Sequence, residues 1–162
     1  MASGKTSAGR AVAAALGRPF VDSDAQVEAA TGRTVREIFE TDGEPAYRVL
    51  ERQALAAALD LPQPCVVAAA GGVVLDPGNR DALRRAATVV WLRARPEVLA
   101  SRVSEGDHRP LLADDPLGTL TRLARDRRHL YEEVADHVVD VDELAPADVA
   151  ARIVELVAGT TP

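Results

Sequence analysis

Short unbroken apolar runs alternate along this chain with longer stretches in which apolar residues return at helical spacing. Phe20-Val21-Asp22, Cys65-Val66-Val67-Ala68-Ala69, Thr88-Val89-Val90-Trp91-Leu92 and the stretch from His137 to Val141 read as buried strands. Residues 44–59 carry the clearest helical spacing, at Tyr47, Leu50, Ala54, Leu55 and Leu59. Thr6 to Leu16 is Ala-rich, holds no proline and is followed by Gly17, so a helix is expected between the preceding loop and that glycine. Further helices are predicted from Ser23 or Asp24 to about Ala30, from Val35 to Phe39, over 79–86, from Pro96 to Val103, from about Pro116 to Val134 and from Pro146 to Val157.

Strands that alternate with helices imply an α/β protein, a three-layer parallel sheet with helices on both faces. No repeat, low-complexity tract or dividing linker interrupts the 162 residues, so a single domain over 1–162 is expected. Residues 104–115 mix Gly, Pro, Asp, His and Arg without periodicity and read as a loop of functional length.

Composition narrows the partners. Hydrophobic residues make up 47% of the chain, enough for a sizeable core. A net charge of −6 disfavours nucleic acid and acidic membrane surfaces, and 3% aromatics leave little for stacking bases, so a small-molecule partner is expected. Cys65 stands alone, and no apolar run suits a membrane span or a signal peptide, which predicts a reducing, cytoplasmic setting. Cys65 and Trp91 read as core residues, and His108, His129 and His137 lack metal-ligand spacing. No long amphipathic seam is left over, so a monomer is expected.

The chemistry gathers where strands end. Gly4-Lys5-Thr6 matches the tail of a phosphate-binding loop, and Lys5 is the one lysine among 19 basic residues. A chain that otherwise writes its cations as arginine keeps a compact ammonium where phosphates would need it. A helix starting there would aim its N-terminus at the phosphates. Asp22 and Asp24 follow the first strand: one carboxylate could serve Mg2+ and the other orient a hydroxyl, or Asp24 could simply cap the next helix. Gly71-Gly72 lets a ligand approach the backbone, or makes a tight turn. Arg48 and Glu51 form either an ion pair on a solvated face or an inward arginine held by its neighbour. Arg109 is either a solvated loop residue or a guanidinium that closes over the site, and Arg127 belongs to a basic cluster on the long helix.

Taken in order, these stretches resemble shikimate kinases, and the resemblance covers essentially the whole chain. Gly4-Lys5-Thr6-Ser7-Ala8-Gly9-Arg10 looks like the second half of that family's phosphate loop, and Asp22-Ser23-Asp24 like its D-x-D. The run from Thr31 to Phe39 and the one from Asp42 to Glu51 resemble the region ending in [FY]-R-x-x-E. Gly71-Gly72 falls where the family has three glycines, with Ala70 in place of the first and Ala68 where a polar residue is common. Arg109-Pro110-Leu111-Leu112 resembles the lid, and Arg127 with Tyr131 the R-x-x-x-Y helix.

The resemblance implies a P-loop, nucleoside-monophosphate-kinase-like fold, with a shikimate-binding region at about 23–60 and a lid at about 104–116. It implies phosphorylation of the 3-hydroxyl of shikimate by ATP with Mg2+, on the way to chorismate and the aromatic amino acids. Lys5, Asp24, Arg109 and Arg127 would be the catalytic set. Asp24, Arg48, Gly71, Gly72 and Arg127 would hold shikimate; Ser3, Gly4, Lys5, Thr6, Ser7, Arg102, Arg109 and Pro146 would hold ATP, the last Arg102 and Pro146 about the adenine. Thr6 and Asp22 would serve Mg2+, Asp22 through water. The family's first strand and first loop glycine have no counterpart before Met1, which predicts a start further upstream. Another small P-loop kinase, such as a gluconate or nucleoside-monophosphate kinase, or a non-catalytic binder, stands as the alternative.

Overall fold

A computed structural model describes residues 2–103 and 115–159. The elements are α1 (Lys5–Leu16), β1 (Phe20–Asp22), α2 (Ser23–Thr31), α3 (Val35–Thr41), α4 (Gly43–Leu59), β2 (Val66–Ala68), α5 (Pro77–Ala86), β3 (Val90–Arg93), α6 (Pro96–Ser101), α7 (Pro116–Val134), β4 (His137–Asp140) and α8 (Pro146–Ala158). Gly17 and Gly32 end α1 and α2 at φ 62° and 67°, in the left-handed region that glycine enters without penalty. Thr34 and Glu37 form a reciprocal capping box that starts α3.

Both strand pairs are parallel. β1 runs beside β2 with Asp22 opposite Ala68, and β3 beside β4 with Arg93 opposite Asp140. Among the described residues β2 and β3 share no ladder, so the parallel strands stand as two separate pairs. Every described strand is therefore an edge strand. Most strand residues are half-buried, where the apolar runs had predicted buried strands. Cys65 lies outside β2 and is also half-buried.

One apolar layer nevertheless spans the two pairs. Ala8 and Val12 of α1, Val139 of β4 and Val149, Ala150 and Ile153 of α8 form a buried cluster, against which Val66 of β2 and Val90 and Leu92 of β3 pack. On another side Leu55 of α4, Leu83 of α5 and Val134 of α7 enclose Val73 and Val74 of a short 3-10 turn that the sequence pattern did not announce. Val27, Ile38 and Tyr47 make a third cluster where α2, α3 and α4 meet. α1 approaches β1 closely: a Cβ on Gly9 would lie 2.7 Å from the Phe20 ring, so the helix seats against the strand only with glycine there.

Candidate active site

The start of α1 builds the phosphate side. Gly4 sits at φ 82° directly before the helix, and no side chain caps the first turn, which leaves its backbone N–H groups to a ligand. Ser3, Gly4, Lys5, Thr6 and Ser7 lie together on this turn and its approach. The Thr6 hydroxyl donates to Asp22 Oδ2 at 2.8 Å, so the two residues assigned to a cation from the sequence are in contact.

Asp22 also settles which residue caps α2. Its Oδ1 accepts from the amides of Asp24 at 3.1 Å and Ala25 at 3.4 Å, where Ser23 or Asp24 had been expected to cap. Ser23 instead turns inward, 1% exposed, and its hydroxyl accepts the Ala70 N–H at 3.0 Å, tying α2 to the turn after β2. Asp24 is thereby released from capping. Its Oδ1 accepts the Tyr47 hydroxyl at 2.5 Å.

On α4, Arg48 is held by carboxylates on both sides. Glu51 is 1% exposed and takes two hydrogen bonds from Arg48, at 2.9 and 2.8 Å, while Glu44 takes the outer guanidinium nitrogens at 3.1 and 2.6 Å. Burial lifts the Glu51 carboxyl above the usual range, and Arg48 pulls against that shift. Burial, then the Asp24 charge, raises the Tyr47 phenol well above the ordinary tyrosine value, so it stays a donor. The guanidinium lies over Gly72, in the space a Cβ would occupy.

From the far side, Tyr131 and Arg127 of α7 both donate to the Gly71 carbonyl, at 2.7 and 3.2 Å. The Tyr131 ring stacks on Trp91 with 5.3 Å between centroids. A cavity of about 450 Å³ opens beside these groups, lined by Arg48, Glu44, Glu51, Gly72, Asp76 and Asn79 among others. Asp24 and Arg127 do not line it. Arg102 bonds the carbonyls of Val141 and Asp142, which brings it to the approach of Pro146; both are exposed. Arg109 and most of the expected lid lie outside the described residues.

Sequence reasoning missed three features here. Tyr47 was read for its helical spacing, although a hydroxylated ring beside Arg48 was the available signal. Ser23 was read as a cap, and nothing in the sequence ties it to Ala70. Glu44 went unread.

A glycine-led helix start, a threonine bonded to an aspartate at a strand end and a second aspartate facing the helix that carries Arg48 fit a phosphate-loop fold. A family model described as shikimate kinase matches residues 1–158. A shikimate kinase of Symbiobacterium thermophilum is 47% identical, covering 96% of this chain and 90% of that protein. One of Paramagnetospirillum magneticum is 43% identical over 96% of this chain and 79% of its own length. Among solved structures, a shikimate kinase from Acinetobacter baumannii in complex with shikimate superposes with a TM-score of 0.92 at 34% identity, over 99% of this chain and 90% of that one. The chain belongs to the shikimate kinase family.

Proposed function

We propose that this site transfers the γ-phosphoryl group of ATP to the 3-hydroxyl of shikimate, with each group acting as follows. Asp24 accepts the hydroxyl proton as the new O–P bond forms and the bond to the ADP oxygen breaks. Arg48 and Arg127 clamp the substrate carboxylate, with the planar guanidinium suited to two parallel hydrogen bonds. Gly71 and Gly72 bring backbone close to the ring hydroxyls. Lys5 bridges the β- and γ-phosphates, helped by the amides around Ser3, Gly4, Thr6 and Ser7. Arg109 supplies charge from the lid, and Arg102 with Pro146 flanks the adenine.

The convergence that carries this reading is at the end of β1, where Asp22 holds Thr6 of the phosphate loop while Asp24 points to the Tyr47 and Arg48 helix. Thr6 and Asp22 also fit Mg2+. They offer hard oxygen donors, and both Asp22 oxygens already hold protein hydrogens, which suits contact through water. Such an ion would neutralise charge on the phosphates. The enzyme works as a monomer in the cytoplasm.

A coupled ADP-release assay with shikimate, ATP and Mg2+ tests the reading. Turnover is expected with shikimate, to be abolished by Lys5→Met and by EDTA, and to fall to a small residual rate in Asp24→Asn. Turnover with gluconate instead would reassign the substrate, and calorimetric shikimate binding without ADP release would make the chain a binder.

A further inference from the structure

Asp24 is held from one side only. Its Oδ1 receives the Tyr47 hydroxyl, and no other hydrogen bond reaches its side chain among the described residues. Tyr47 is well placed to hold it, for three reasons. The ring is 3% exposed, at the centre of the cluster formed by α2, α3 and α4. Phe39 packs against one part of it at 4.7 Å between centroids, and the Arg48 guanidinium lies 5.4 Å from its centre. An aromatic side chain has few torsions to lose, so a ring fixed in this way carries its hydroxyl at a defined point.

From this geometry we infer that Tyr47 is a positioning residue for phosphoryl transfer: its hydroxyl fixes the Asp24 carboxylate by occupying Oδ1 and leaves Oδ2 as the single oxygen presented to the acceptor hydroxyl. The inference rests on the role of Asp24 proposed above. A carboxylate on a half-buried helix start rotates about its own torsions unless something fixes it, and a displaced acceptor loses the near-attack geometry on which transfer depends. The raised phenol supports the assignment, because a tyrosine that keeps its proton donates throughout the working pH range. Tyr47 takes no proton itself and touches no reacting atom.

Tyr47→Phe removes the hydroxyl and keeps the ring against Phe39. Because Asp24 is only half-buried, the oxygen left without its donor reaches water, and the variant is expected to fold with a melting temperature close to that of the parent. Steady-state kinetics on parent, Tyr47→Phe, Asp24→Asn and the double variant form the test, with shikimate affinity measured by calorimetry on all four. Loss of the fixed geometry is expected to lower kcat about tenfold in Tyr47→Phe, with KM for ATP unchanged. In the Asp24→Asn background the same change is expected to leave the shikimate Kd and the residual rate where they were, since its effect passes through Asp24. A Tyr47→Phe kcat within twofold of the parent, or an equal loss in both backgrounds, overturns the inference while the Asp24 assignment stands. An Asp24→Asn enzyme with full kcat overturns both, and that result is recognisable from the single variant alone.

Discussion

The Arg48 guanidinium lies against the backbone of Gly72, in the space that any side chain at that position would fill. The glycine is thus a packing requirement imposed by an arginine from a different element. Gly72→Ala is expected to push Arg48 Nη1 away from the two Glu51 oxygens it bonds. The loss of a charge-assisted contact to the substrate carboxylate should raise the shikimate KM by about tenfold or more while the ATP KM holds. Initial rates with each substrate varied in turn check it, and equal changes in both constants would point to general unfolding instead.

Glu44 occupies the outer side of the same guanidinium, 2.6 Å from one terminal nitrogen, and its own side chain is 46% exposed. An exposed ion pair of this kind is worth little on its own, yet its carboxylate competes for the donors a ligand carboxylate would use. Glu44→Gln is expected to tighten shikimate binding by roughly two- to threefold, in line with the small energy of such a pair. Calorimetric titration reads this directly. Weaker binding would mean that Glu44 aims Arg48 rather than competing for it.

Ser23 and Ala70 tie the start of α2 to the turn after β2 through a part-buried hydrogen bond. Ser23→Ala would leave the Ala70 N–H without this partner, at a cost of about 1 kcal/mol. Urea unfolding of parent and variant gives the difference as a shifted midpoint at unchanged slope.

The capping box at α3 predicts a pH dependence. The backbone and hydroxyl of Thr34 hold the Glu37 carboxyl below the usual glutamate range. A depressed folded-state pKa means that the stabilisation is present above the unfolded value, about 4.3 for glutamate, and disappears as pH falls through the lower folded value. Glu37→Gln should therefore melt below the parent at pH 7, with the gap closing as the pH drops beneath the ordinary glutamate range. Thermal melts across that interval decide it, and a gap independent of pH would assign the loss to something other than the Glu37 charge.

Much of this was legible because glycine, proline and apolar spacing act locally. Gly17 and Gly32 end helices in the conformation that glycine favours, and α7 begins at Pro116 as its first-turn proline predicts. The resemblance had assigned Thr6 and Asp22 to one cation, and the two side chains are in contact. What stayed hidden depends on the path of the backbone or on residues distant in the chain. Asp22 rather than Asp24 caps α2 because the backbone path into the helix decides which carboxylate meets the first amides. Gly71 and Gly72 could be read as a turn or as a ligand approach, and nothing local announces that Arg48 from α4 and Tyr131 from α7 meet them.

Asp22 spends its two oxygens in different directions, one on the opening amides of α2 and the other on Thr6. It is a yoke between the first turn of α1 and the helix that carries Asp24. Whatever steadies one end steadies the other, so occupancy by either substrate should lower the cost of ordering the site for its co-substrate. By reciprocity the gain is the same whichever binds first. The enzyme would then favour the ternary complex over either binary one, and a nucleotide held alone would spend less time poised for wasteful transfer to water.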